Sequence, residues 1–265
     1  MKEYIKKFAN PAAADQYAIK DIPFITSVDG DPIQNLHCNL SGKKLVNVSG
    51  IVEVQSAGPE MVDLGLSVKW AKANIGATCG DTAESWYGGF YAWGETETKS
   101  DYSWATYKHV INGAFNKLTK YCPSNKTNYW RGTGSPDNKL ILDAVDDIAT
   151  QTYGSNYRIP TKAEIEELVA LPNQWVTNYN GISGLNGRIF TGTNGNTLFI
   201  PAAGYFDESA HNYAGSYCYL WSSSLNSVDP SSACGLYFSS GSIRLDHSGR
   251  CCGLSVRAVQ NVNNS

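Results

Sequence analysis

Between Ser209 and Val259 the chain contains no lysine, glutamate, glutamine or methionine, although the preceding 208 residues use those four types 32 times. Long basic runs are missing as well. Nothing exceeds Lys6-Lys7 or Lys43-Lys44, and a net charge of −3 leaves no electrostatic footprint for nucleic acid. Apolar runs fall far short of the ~20 residues that cross a bilayer. The start, MKEYIKKFANPAAADQYAIKDIPF, lacks the apolar core of a secretory signal, so a soluble chain made in a cytoplasm, with no membrane partner, is expected. The seven cysteines include no C-x-x-C, and Cys251 abuts Cys252, which argues against both a disulfide framework and a zinc site. His37, His109, His211 and His247 stand alone, with no H-x-H, H-E-x-x-H or G-x-S-x-G. No metal, cofactor or catalytic set is expected.

Aromatic residues are abundant, with sixteen tyrosines and seven tryptophans, while only 17% of residues are charged. Short strands, glycine turns and long loops suit that mixture, an α+β fold rather than a helix bundle. Residues 1–57 read as a small β-rich module for anchoring or oligomerisation. An alanine-rich turn of helix over 12–19 precedes strand-like pieces at 24–28, 44–48 and 50–54, with turn signals at Asp29-Gly30-Asp31-Pro32 and Ser41-Gly42.

A second domain, 58–265, opens with VDLGLSVKWAKANIGA, where Val62, Leu64, Leu66 and Val68 alternate as in one half-buried strand. In the loop-rich stretch 80–138, Trp86, Trp93, Trp104 and Trp130 suit packing under loops better than ligand platforms. A short helix is expected over 140–149, with Asp143, Asp146 and Asp147 on a solvated face or, less in keeping with the pattern, around a calcium ion. The sharpest local signal is YRIPTKAEIEELV, in which Thr161 and Glu164 have capping-box spacing and Ile165, Leu168 and Val169 share a helix face. A hairpin should follow, from 187–190 through a turn at 192–196 to 197–200.

YRIPTKAEIEEL resembles the helix start of the formylglycine-generating-enzyme type of C-type-lectin fold, and LSVRAV resembles that group's closing strand. VDLGLSVKWAKANIGA, FYAWGETETKSDYSWATYK, YRIPTKAEIEEL, PAAGY, YLWSSS and LSVRAV are similar, in order, to the phrases of the Fibrobacter succinogenes major paralogous domain. The resemblance covers Met61 to Val259 and implies a C-type-lectin fold of the formylglycine-generating-enzyme-like subtype. Its enzyme branch oxidises a substrate cysteine with paired cysteines and copper, and no cysteine pair here sits in a matching motif. Glu-Pro-Asn and Trp-Asn-Asp, the calcium-dependent sugar motifs of animal lectins, are absent too.

Variable proteins of diversity-generating retroelements use the same scaffold. Asparagine codons ending in C or T, randomised at their adenines, reach fifteen residue types, and Lys, Glu, Gln, Met and Trp are not among them. A Ser/Gly-rich β region that merely lacks long polar side chains has the same composition, and codons decide between the two. On the diversified reading, variable residues within 205–259 project to solvent between fixed positions such as Trp221, Leu236, Phe238 and Val256. They are Cys218, Leu220, Asn226, Ser232, Cys234, Gly235, Ser242, Arg244, Asp246, His247, Gly249, Cys251 and Cys252. The implied function is a non-enzymatic receptor-binding protein of a Bacteroidetes phage virion, held through 1–57 to a virion or fibre protein. Its ligand would be a host-surface protein or polysaccharide. The phage relatives imply a homotrimer. The alternatives are a fixed structural or adhesive protein of a bacteroidete or its phage, and a divergent oxidase.

Overall fold

A computed structural model describes residues 58–262 with their side chains and, before them, the backbone of six strands. The chain divides into two units, Met1–Gly58 and Pro59–Ser265. In the first, β1 (Gln16–Ala18) pairs antiparallel with β4 (His37–Asn39), β2 (Ser27–Val28) with β3 (Asp31–Pro32), and β5 (Lys43–Val48) with β6 (Ile51–Ser56). The helix expected over 12–19 is therefore a strand at its described residues, 16–18. A two-turn helix is marginal by itself, and pairing with 37–39 satisfies the same backbone groups. The rest of that stretch, and 24–26, lie outside the described residues.

The second unit is mostly β-sheet with few helices. The strand expected over 62–68 is instead a hairpin, β7 (Met61–Val62) against β8 (Val68–Ala71). Gly65 sits at φ 73° and donates its N–H to the Asp63 carboxylate, a turn that breaks the alternation. β9 (Phe90–Tyr91) follows. The helix expected over 140–149 starts late: a 3-10 turn at Ala144–Asp146 leads into α1 (Ile148–Tyr153). Asp147 is its cap, accepting from the N–H groups of Ala149 and Thr150, while its second oxygen accepts from Ile159. Asp146 and Asp147 are buried, not on a solvated face.

After β10 (Tyr157–Arg158), the YRIPTKAEIEELV signal is realised as α2 (Lys162–Val169), with both halves of the Thr161–Glu164 capping box in place. Arg158 holds the Glu164 carboxylate from outside. β11 (Asn173–Val176), β12 (Gly187–Thr191) and β13 (Thr197–Pro201) make a three-stranded sheet containing the anticipated hairpin. β14 (Tyr205–Asp207) and β15 (Ala210–Asn212) form a short hairpin. The last strands are β16 (Cys218–Leu225), β17 (Ser232–Phe238), β18 (Ile243–Gly249), β19 (Leu254–Ser255) and β20 (Val259–Asn261). β18-β17-β16-β19-β9 is a five-stranded sheet, and β10-β20-β8-β7 a four-stranded one.

One face of the five-stranded sheet presents Cys218, Leu220, Leu236 and Phe238 to Ile165 and Leu168 of α2 and to Phe190, Leu198 and Ile200. On the other, Trp221 packs with Tyr91, Trp93 and Val256. The Trp221 indole N–H donates to Tyr91 O at 2.7 Å, and that of Trp93 to Ser222 O at 2.8 Å. Truncating either ring to alanine removes packing worth about 3–5 kcal/mol. The phrase WSSS is a bulge where the β16–β17 register shifts between Trp221 and Leu225. There Ser223 N–H donates to Pro160 O, and Ser224 Oγ accepts from the first-turn N–H of Lys162. Two sequence motifs sixty residues apart thus lock the start of α2 onto the sheet.

Candidate functional site

β-Strand side chains alternate between faces, so register decides what the C-terminal sheet displays. Tyr219 of β16 lies opposite Tyr237 of β17, and Tyr237 opposite Arg244 of β18. All three point away from α2. The β14–β15 hairpin sets Tyr205 beside them, held by a bridge from Gly204 to Cys218. Gly204 has φ 70°, and a Cβ there would fall 2.1 Å from Asn212 O, so no other residue allows this approach.

Five tyrosines close into a ring on this face. Centroid separations are 4.8 Å for Tyr205–Tyr219, 5.2 Å for Tyr219–Tyr237, 5.7 Å for Tyr237–Tyr217, 4.7 Å for Tyr217–Tyr213 and 6.2 Å for Tyr213–Tyr205. Four are half-buried and Tyr213 is 54% exposed. The Arg244 guanidinium lies 3.9 Å from the Tyr237 centroid and donates to Asp246 at 2.7 Å. Among the described residues, nothing hydrogen-bonds the hydroxyls of Tyr205, Tyr213, Tyr217 or Tyr219. Burial raises the Tyr219 phenol to about 12, which keeps it protonated as donor and acceptor. Tyr213 carries a left-handed φ of 58°, costly for a bulky side chain and frequent at functional surfaces. Rigid rings with free polar tips are the chemistry of adaptable protein-type recognition surfaces.

The thirteen residues expected to be variable do not share this face. Cys218, Leu220 and Cys251 are buried, which corrects the expectation that they project to solvent: the first two point into the α2 core and the third packs against Ala92, Tyr102 and Tyr107. Gly235 is buried, and a Cβ would meet Leu220 O at 2.5 Å, so it does not vary freely. Ser232 is buried in the β16–β17 turn, where it donates to Asp229. Asn226 caps the same turn by accepting from Val228 and Asp229. Cys234 and His247 are paired across β17–β18 on the α2 side. Ser242 stands at the β17–β18 turn, and Gly249 has room for a side chain beside Cys252. Arg244, Asp246 and half-buried Cys252 remain on or beside the tyrosine ring. A hydrogen bond between the adjacent thiols raises Cys251 and lowers Cys252. The tyrosines were visible as Y-x-Y at 217 and 219, but alternation alone does not tell an open face from a covered one.

Other polar clusters are committed to structure. Asp146 accepts from Lys120 and Tyr121 and pairs with Lys108. Burial alone would raise its carboxyl, but these hydrogen bonds outweigh it and hold it at about 2. His109 beside it is pushed down to about 4, first by burial, and its Nε2 lies 3.0 Å from Gly94 O. The imidazole is neutral when folded and takes up a proton when unfolded, so its contribution is complete above 6.5 and is lost as pH falls toward 4. The unfolding free energy read from urea titrations across that window should fall by up to about 1.4 kcal/mol per pH unit from this group, and His109→Gln should flatten the slope. An equal slope in both proteins would remove His109 as the cause. A cleft of 430 Å³ between Leu142, Asp147, Tyr157 and Thr161 is likewise spoken for, since Asp147 is satisfied by three backbone N–H groups. Among the described residues no three His, Cys, Asp or Glu side chains converge as metal ligands, and no helix is long and apolar enough to cross a membrane.

No protein-family model matches the chain, and neither does a curated protein or a solved structure.

Proposed function

We propose that this is a non-enzymatic binding protein whose ligand seats on the ring formed by Tyr205, Tyr213, Tyr217, Tyr219 and Tyr237, flanked by Arg244 and Asp246. The ring itself carries the reading: five contiguous aromatic side chains stand on a sheet face that loops cover only in part, with the hydroxyls of Tyr205, Tyr213, Tyr217 and Tyr219 left for a partner. Such rings supply contact area at low entropic cost. The lectin-type scaffold suggested by the sequence motifs would serve as a rigid base. The proposal extends to a retroelement-diversified receptor-binding protein of a Bacteroidetes phage, with a host-surface protein or polysaccharide as ligand and residues 1–57 as the attachment to the virion. Tyrosine is among the residue types that adenine randomisation reaches, whereas the fixed Trp221 is not.

Deep sequencing of the gene across a propagated population tests this. Substitutions should fall at the first two codon positions, where the template carries adenines, of Tyr213, Tyr217, Tyr219, Tyr237, Arg244 and Asp246, and spare Cys218, Leu220, Trp221 and Gly235. A uniform population, or changes scattered evenly over core and face, would leave a fixed structural protein as the better account.

A further inference from the structure

β18 is an outermost strand of its sheet, and its free edge is legible residue by residue. Ser239 N–H donates to Ser242 O to close the β17–β18 hairpin. That sets the even-numbered residues of β18 in hydrogen bond with β17 and turns the backbone of Ile243, Leu245 and His247 outward. Two bonds agree: His247 N–H is met by the Asp246 carboxylate at 2.9 Å, and Gly249 O accepts from Cys252 N–H outside the sheet. Among the described residues no backbone group pairs with Ile243 or Leu245 on that side. An unpaired edge of this kind is a template for another strand.

The sequence of β18 says which strand. IRLDHSG is complementary to itself when run antiparallel about Leu245. In that register Leu245 faces Leu245 of a second copy, and Ile243 faces His247. Arg244 of each strand faces Asp246 of the other. The outward-turned residues 243, 245 and 247 fall in the hydrogen-bonded pairs that an antiparallel ladder requires. Arg244 and Asp246 fall in the closer, non-hydrogen-bonded pairs, with Cα atoms about 4.5 Å apart. Within one strand Arg244 already holds Asp246 at 2.7 Å, so pairing two strands makes an alternating ring of four charges. The Asp246 carboxylate, moved to its new arginine, releases the His247 N–H to the ladder.

We infer that the chain forms a twofold dimer by antiparallel pairing of β18 with β18 of a second copy, in the register centred on Leu245. The axis stands perpendicular to the sheet, because Leu245 of both copies points to the same face. The two five-stranded sheets join into one, and both tyrosine rings face the same side, on either flank of the charge ring. The dimer does not depend on what the rings bind. If they bind, the paired arrangement presents two equivalent sites in one plane.

Analytical ultracentrifugation of the full chain, with charge reversals, tests the inference. The unaltered protein should sediment as a dimer that dissociates on dilution. Arg244→Asp and Asp246→Arg each place like charges opposite one another and should raise the dimer dissociation constant about a hundredfold or more. Mixing the two single variants restores opposite charges across the edge and should give a heterodimer, and the double exchange should dimerise again. Rescue by mixing cannot come from misfolded chains, and unchanged circular dichroism of each single variant confirms the fold. A monomer at every concentration, a trimer, or a dimer indifferent to both reversals would overturn the inference.

Discussion

Replacing Arg257 with methionine is expected to remove about 4 kcal/mol of stability, a large share of the about 5–15 kcal/mol that a domain possesses. Arg257 is 1% exposed and has no carboxylate partner among the described residues. Its guanidinium donates instead to the Asn74 side chain and to the carbonyls of Ala71, Lys72 and Phe199, at 2.9–3.2 Å. Burial lowers it to about 10, so it stays charged at neutral pH, and its stability rests on those four acceptors. Methionine fills part of the volume and leaves every acceptor unmet. Arg250 is the same device in another setting: it donates to Tyr107 Oη and to the carbonyls of Lys120, Tyr121 and Pro230, with Trp93, Tyr107 and Tyr121 rings at 5.0–5.7 Å. Arg250→Met should cost a similar amount and loosen the 102–131 loops that it anchors. Arg257→Lys should recover little, since an ammonium cannot reach four acceptors spread around a planar fork. Urea denaturation reads the loss as a lower midpoint at unchanged slope. A loss under about 1 kcal/mol for Arg257→Met would mean that the carbonyls find other donors.

The second large effect concerns binding. Labelled protein applied to a panel of bacteroidete cells should mark particular strains, and Tyr237→Ser or Tyr219→Ser should weaken that binding about thirtyfold or more, the range of an aromatic hot spot. Both rings touch two neighbours of the ring, and Tyr237 also supports Arg244, so each serine opens a gap at its centre. Val228→Ser, at a side chain 77% exposed in the distant β16–β17 turn, should leave binding unchanged. Tyr213→Gly separates recognition from folding. Glycine relieves the left-handed strain, so stability should hold or rise by about 1 kcal/mol, while the loss of the most exposed ring should weaken binding. If Tyr219→Ser and Tyr237→Ser bind as well as the unaltered protein while Val228→Ser does not, the site lies elsewhere on the molecule.

Legibility followed the range of the forces involved. The capping box of α2 and the β12–β13 hairpin were readable because their causes lie within a few residues: a threonine oxygen and a first-turn N–H, glycines where the chain reverses. The single strand expected over 62–68 failed on an equally local cause, the Asp63–Gly65 turn, which the apolar alternation masked. Asp146 and Asp147 read as surface carboxylates because nothing nearby announces Lys120, Tyr121 or the Ile159 N–H as partners. Cys218 and Leu220 stood in a stretch of open composition, yet the alternation that puts Tyr219 outside puts both of them under α2.

Sequence order alone settled a β-rich α+β chain with one well-capped helix, a C-terminal stretch stripped of long polar side chains, and the self-complementary charges of IRLDHSG. Whether each face of that stretch is covered, which arginines are buried without a counter-ion, and how five tyrosines from two hairpins and the loop between them meet were decided by packing. A strand's side chains alternate by its own covalent geometry, but which side faces water depends on the surfaces that fold against it. Here those surfaces are α2 on one side and an incomplete cover of loops on the other.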